Sequence, residues 1–172
     1  MRFQIFIHLK RKDAEHIVAA LNWLDLLCEG RFKDFFGLLL ADRGSEFDEI
    51  FGIEHDLDGK KRCDIYYADP RRPDQKGGCE KNHVELRKVI LKGISIDSLD
   101  LDPWLMAGIC SHVNSSLRDA IGDACPASLA KTCLPASLLE GLGVDVIDPD
   151  DVILTPDLIE KLNVDRPNNQ IQ

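Results

Sequence analysis

The order of apolar and polar positions divides the chain into short elements. Residues 2–9, RFQIFIHL, set Phe3, Ile5, Ile7 and Leu9 against Arg2, Gln4, Phe6 and His8, an alternation that predicts a strand with one face well buried. Asp13 then caps a predicted helix whose stripe is Ile17, Leu21, Leu24 and Cys28, with Gly30 as its stop. RFKDFF predicts a short helical turn, and LLLAD, 38–42, reads as a buried parallel strand ending in a carboxylate. RGSEFDEIFG predicts a turn and a short helix, and CDIYYAD, 63–69, a second such strand closed by Pro70, with Tyr66 and Tyr67 facing opposite ways.

From about Gly78 to Leu91 the pattern becomes helical, with Val84, Arg87, Lys88 and Leu91 on nearby turns and Gly93 beyond. PWLMAGICSHVNSSLR, 103–118, predicts another helix with Trp104, Ile109 and Val113 in the core and His112 as an interior histidine. Trp23 is likewise expected to anchor the core. Three later segments open on proline, PASLAK, PASLLEGLG and PDLIEKL, and proline suits the first turn of a helix. The final PNNQIQ is expected to be disordered. Strands alternating with helices define an α/β class with a parallel sheet.

Charge sharpens this picture. The formal net charge is −9, yet residues 60–92 carry ten Lys/Arg against five Asp/Glu, a local +5 that leaves −14 for the rest. A basic patch thus stands on an acidic protein, and much of the acid follows Glu140. No run approaches the roughly 18 apolar residues of a membrane span, and residues 1–12 lack the pattern of a secretory signal. Cytoplasmic location follows as an expectation. Cys28, Cys63, Cys79, Cys110, Cys125 and Cys133 form no CxxC pair and are expected to be reduced packing residues.

Asp42 ends one predicted strand, and Glu80 opens the helix beyond the next, 38 positions later. Ligand chemistry in open α/β sheets gathers at strand carboxyl ends. If the two strands are neighbours, both carboxylates reach one sheet edge, where hard oxygen donors suit Mg²⁺ or Mn²⁺. Basic neighbours would hold a phosphate backbone. Capping and helix-dipole placement explain the same two acids without any chemistry. Glu46 reads as a capping or surface acid.

ADRGSEF at 41–47 resembles the D-N-G-x-E-F signature of bacterial insertion-sequence transposases and retroviral-type integrases. YYADPRRPDQKGGCEKNHVELRKVILKG at 66–93 is similar to the stretch around the third acid of those transposases, and HVNSSLRDAIGDACPASL at 112–129 resembles a later segment. The resemblance covers roughly residues 1–130, with 131–172 left as an acidic helical tail. It implies a DDE-type catalytic core with a ribonuclease-H-like fold and Mg²⁺-dependent DNA strand cleavage and transfer. Asp42 then matches the second acid and Glu80 the third, both as metal ligands. Lys76, Lys81, Asn82 and His83 match positions flanking the glutamate near DNA, and Arg71, Arg72, Arg87 and Lys88 are further phosphate contacts by charge.

Two departures touch the site: Arg43 stands after Asp42, and Cys79 before Glu80, where the family has Asn. RFQIFIHL would be the third strand of the fold, so the first two strands and the first acid are expected to be missing. The implied partners are transposon-end and target DNA, and a second copy of the chain or a full-length transposase. A fragment inactive by itself is expected; the alternative is a non-enzymatic product that associates with an intact transposase and modulates it.

Overall fold

The computed structural model describes residues 2–69 and 84–167. It is mixed α/β, mostly helical, with one small parallel sheet of two strands. The chain divides into two compact units, both discontinuous: Leu9–Gly77 with Leu134–Gly141, and Met1–His8 with Gly78–Cys133 and Leu142–Gln172.

The first of these holds the sheet. Helix α1, Ala14–Leu27, starts where the Asp13 carboxylate accepts the His16 N–H at 3.0 Å. It ends at Glu29 and Gly30, both with positive φ, a conformation that glycine adopts without strain. Helix α2, Phe32–Phe36, leads into β1, Leu38–Ala41; after a 3-10 turn at Ser45–Phe47 come α3, Ile50–Glu54, and β2, Asp64–Tyr67. β1 and β2 pair in parallel, with Leu38 opposite Asp64 and Ala41 opposite Tyr67. Leu24, Cys28, Phe32, Ile53 and Cys63 are buried.

Arg62 is buried as well, and its guanidinium is fully employed. Nε donates to Ile53 O at 2.9 Å, one terminal nitrogen to Gly52 O at 2.6 Å and the other to Asn22 Oδ1 at 2.7 Å. The Asp25 carboxylate stands 3.7 Å away. One charged side chain thus ties α1, α3 and the approach to β2 together.

In the other unit, residues 84–89 form helix α4, and α5 spans Pro103–Ser115 behind an Asp102 cap that accepts the Leu105 N–H at 2.9 Å. Helix α6 is Pro126–Cys133 and α8 is Asp157–Val164, whereas α7, Ala136–Leu142, lies in the sheet unit up to Gly141. The core joins Val89 and Ile90 to Leu105, Ile109 and Val113 of α5 and to Leu158 and Leu162 of α8. Gly108 lets α5 and α8 approach closely: a Cβ there would lie 2.6 Å from Leu162 methyl carbons. Within α7, Ser137 Oγ donates to Leu27 O at 2.8 Å, and Gly141 packs on the Leu27 side chain, so these residues complete the sheet unit.

Several expectations need correction. RFQIFIHL is not a strand. Its backbone partner is a side chain: Asn114 Oδ1 accepts the Gln4 N–H at 2.7 Å, and Asn114 Nδ2 donates to Gln4 O at 2.7 Å. An asparagine on α5 replaces one rung of a ladder, and the expected alternation is not seen: Gln4 is buried while Phe3, Ile5, Ile7 and Leu9 are half-buried. β1 is parallel as expected but only half covered, because Leu38, Leu40 and Tyr66 face solvent on one side of the sheet. Trp23 and Trp104 stand at the rim of their packing and not in the core, and Trp104 Nε1 donates to Leu162 O at 3.0 Å. The disordered end, past Pro167, lies outside the described residues.

Helices at 14–27, at 103–115 and behind the three prolines agree with the sequence pattern. His112 is interior, and its Nδ1 accepts the Ile153 N–H at 3.1 Å. Ser111 and Ser115 accept the N–H groups of Asp145 and Ile147 at 3.0 and 2.8 Å. Polar side chains of α5 thereby hold the segment before α8. Cys28, Cys63, Cys110 and Cys125 are buried free thiols, and burial pushes Cys28 and Cys110 up to about 11, which keeps both unreactive. Among the described residues no helix is long and apolar enough to cross a membrane.

Candidate functional site

The parallel pairing gives the sheet a single carboxyl end. Beyond the paired residues the ladder continues for one more bond, from Ala68 N to Ala41 O at 2.9 Å. Asp42 follows β1 directly, and Asp69 follows β2 two residues on; both are exposed at that end. The condition set by the sequence, that the strands be neighbours, is met for the half of the site that is described.

The loop after Asp42 is built tightly. A Cβ on Gly44 would run into the Glu46 carboxylate, which folds back toward the chain. Glu46 also pairs with Lys12 at 3.1 Å. Its carboxyl is held below the usual range first by its own backbone N–H and then by Lys12. Glu46 is therefore a loop-fastening acid, in line with the sequence reading. Tyr67 hydroxyl donates to Phe47 O at 2.5 Å and fixes the loop over β2. Desolvation raises the Tyr67 pKa, with Asp48 and Glu54 adding to the effect, so the phenol stays protonated. Arg43, Asp48, Ile50 and Tyr67 line a cleft of about 260 Å³ beside this end.

The carboxylates at this end are of the type that a hard divalent cation prefers. Mg²⁺ is usually held by one or two carboxylates together with water and phosphate oxygens, not by an all-protein cage. Asp42 and Asp69 offer such carboxylates, and among the described residues no three His, Cys, Asp or Glu side chains cluster into a cage.

Glu80 and its flanking Arg71, Arg72, Lys76, Lys81, Asn82 and His83 lie outside the described residues. Arg87 and Lys88 are described: both are exposed on α4, in the other compact unit, and Lys88 pairs with Glu85 at 2.8 Å. Sequence reasoning missed Asp69 as a companion of Asp42. Its signal was present in the acid closing CDIYYAD, but only the register of the ladder reveals that both acids leave the same edge. Comparisons with protein-family models, curated proteins and solved structures return no match.

Proposed function

We propose that the chain carries part of a DDE-type transposase catalytic core, a ribonuclease-H-like scaffold for Mg²⁺-dependent DNA strand cleavage and transfer. The observation that supports it is the parallel pairing of β1 with β2, which sets Asp42, exposed, at the carboxyl end of the sheet. Asp42 and Glu80 are the metal ligands of this reading. A bound Mg²⁺ or Mn²⁺ would polarise a phosphodiester and lower the pKa of an attacking hydroxyl. Arg71, Arg72, Lys76, Lys81, Asn82, His83, Arg87 and Lys88 would steady the DNA, their cations mainly by neutralising phosphates. Because the resemblance matches two acids of three, the chain alone is expected to bind metal and DNA without completing strand transfer.

Mn²⁺ titration monitored by electron paramagnetic resonance tests the site. The unmodified chain should bind Mn²⁺ more tightly than Asp42→Asn or Glu80→Gln. Superimposable curves for all three would remove both residues as ligands.

A second reading draws on the exposed Leu38, Leu40 and Tyr66. Parallel sheets are normally covered on both faces, so this open face favours a non-enzymatic role in which the chain docks on an intact transposase and dampens it. Failure to co-purify with a full-length relative would dismiss that role.

A further inference from the structure

Two surfaces on this chain, one in each compact unit, match in both charge and apolar content. The first is a cleft of about 440 Å³ in the sheet unit, between the end of α1 and the turn at 56–60. Asp25, Glu29, Asp56 and Asp58 line it, and no Lys or Arg is among its lining residues. Leu26 and Leu57 stand on its two walls and are 69% and 74% exposed. The turn is rigid: Asp56 Oδ1 accepts the N–H of Asp58 at 3.0 Å and of Lys60 at 2.8 Å. Burial raises the Asp25 pKa, Arg62 opposes the rise and Asp56 adds to it, so Asp25 is the acid of the cleft that already has a cation, and Glu29, Asp56 and Asp58 are the acids that face outward.

The second surface is the outer face of α4. Val84, Arg87 and Lys88, with Leu91 just past the helix, recur at the spacing of one helical face and are all exposed. Val89 and Ile90 point into the core instead, so this face is left without a covering layer. The Lys88–Glu85 pair holds a partly exposed lysine, and such pairs yield readily to another carboxylate.

We infer that the α4 face of one copy of this chain docks in the acidic cleft of a second copy. Val84 and Leu91 meet Leu26 and Leu57, while Arg87 and Lys88 meet Glu29, Asp56 and Asp58. The contact is heterologous, so a pair of copies keeps one unused cleft and one unused helix face, and assembly continues beyond a dimer unless it closes into a ring. Its small size places it with weak, salt-sensitive associations. The inference shares Arg87 and Lys88 with the DNA reading but does not rest on it, and nuclease treatment with a cleft variant that leaves both cations in place keeps the two distinguishable.

Sedimentation velocity on the intact, nuclease-treated chain tests this. The average mass should rise with protein concentration at low salt and fall back toward the monomer at high salt. The cleft variant Glu29→Lys with Asp58→Lys and the helix variant Arg87→Glu with Lys88→Glu should each weaken association by about tenfold or more. An equimolar mixture of the two should associate again, because opposite charges then face each other in both pairings. A parent chain that stays monomeric at high micromolar concentration overturns the inference. So do variants that assemble like the parent, or a mixture that remains apart. If either variant fails to fold, as judged by its unfolding midpoint, Leu57→Ser and Val84→Ser take its place and must weaken association in the same way.

Discussion

Asn114 clasps the backbone of Gln4 from both sides, accepting its N–H and donating to its carbonyl, each at 2.7 Å and fully buried, across 110 positions of sequence. The same carbonyl also receives the Cys110 thiol at 3.1 Å. Asn114→Ala strands the Gln4 N–H in the interior and leaves its carbonyl only the weak Cys110 thiol donor, and each buried unsatisfied group costs about 1–3 kcal/mol. Urea unfolding should show a loss of roughly 2–5 kcal/mol with an unchanged denaturant slope. A loss below about 1 kcal/mol would mean that water replaces the amide.

Arg62 is the charged counterpart in the sheet unit. Arg62→Ala leaves Ile53 O, Gly52 O and Asn22 without their donor and Asp25 without its cation. Breaking a buried ion pair typically costs about 3–5 kcal/mol. Thermal unfolding should detect this directly. Arg62→Lys should recover only part of the stability, since one ammonium cannot span three acceptors set around a planar fork.

His112 predicts a dependence on pH. Burial lowers its pKa below the ordinary 6.5, Lys161 lowers it further, and Asp151 opposes the change. Folding therefore favours the neutral ring, whose Nδ1 accepts the Ile153 N–H. The stabilisation is fully present above the unfolded-state value of 6.5 and is lost as pH falls below it through the folded pKa. Unfolding midpoints should fall on going from neutral toward acidic pH, and more steeply than in His112→Asn, which keeps an acceptor but cannot titrate. Equal slopes in the two proteins would assign the acid sensitivity to other groups.

Arg87 and Lys88, if they hold DNA phosphates, contribute to affinity without reading sequence. Arg87→Ala with Lys88→Ala should weaken binding to unrelated duplexes alike and reduce the slope of log affinity against log salt by about 2. Sequence-dependent losses would point to base contacts instead.

What the sequence revealed and what it hid have physical causes. Helices with a polar cap and a periodic stripe, such as Ala14–Leu27 behind Asp13 and Pro103–Ser115 behind Asp102, were legible because cap and stripe act locally. The two strands were legible as apolar runs, and the acid at the end of each is plain to read. Neither the burial of Gln4 nor its partner was legible, because the alternation put Gln4 on the outward face and says nothing about what bonds the backbone. That Asp42 and Asp69 leave the same end of the sheet depends on the parallel pairing, a property of two segments together. The exposure of Leu38 and Leu40 likewise reflects how few strands the sheet has, which no run of leucines reveals.

The sheet unit is closed by Ser137 and Gly141 of α7, which pack on Leu27 from the far side of the chain. During synthesis, residues 9–77 leave the ribosome well before those two residues exist. The foot of α1 must wait uncovered while some sixty further residues are translated. A release of the chain anywhere before Leu134 would deliver a half-finished unit with its apolar base open to chaperones and proteases.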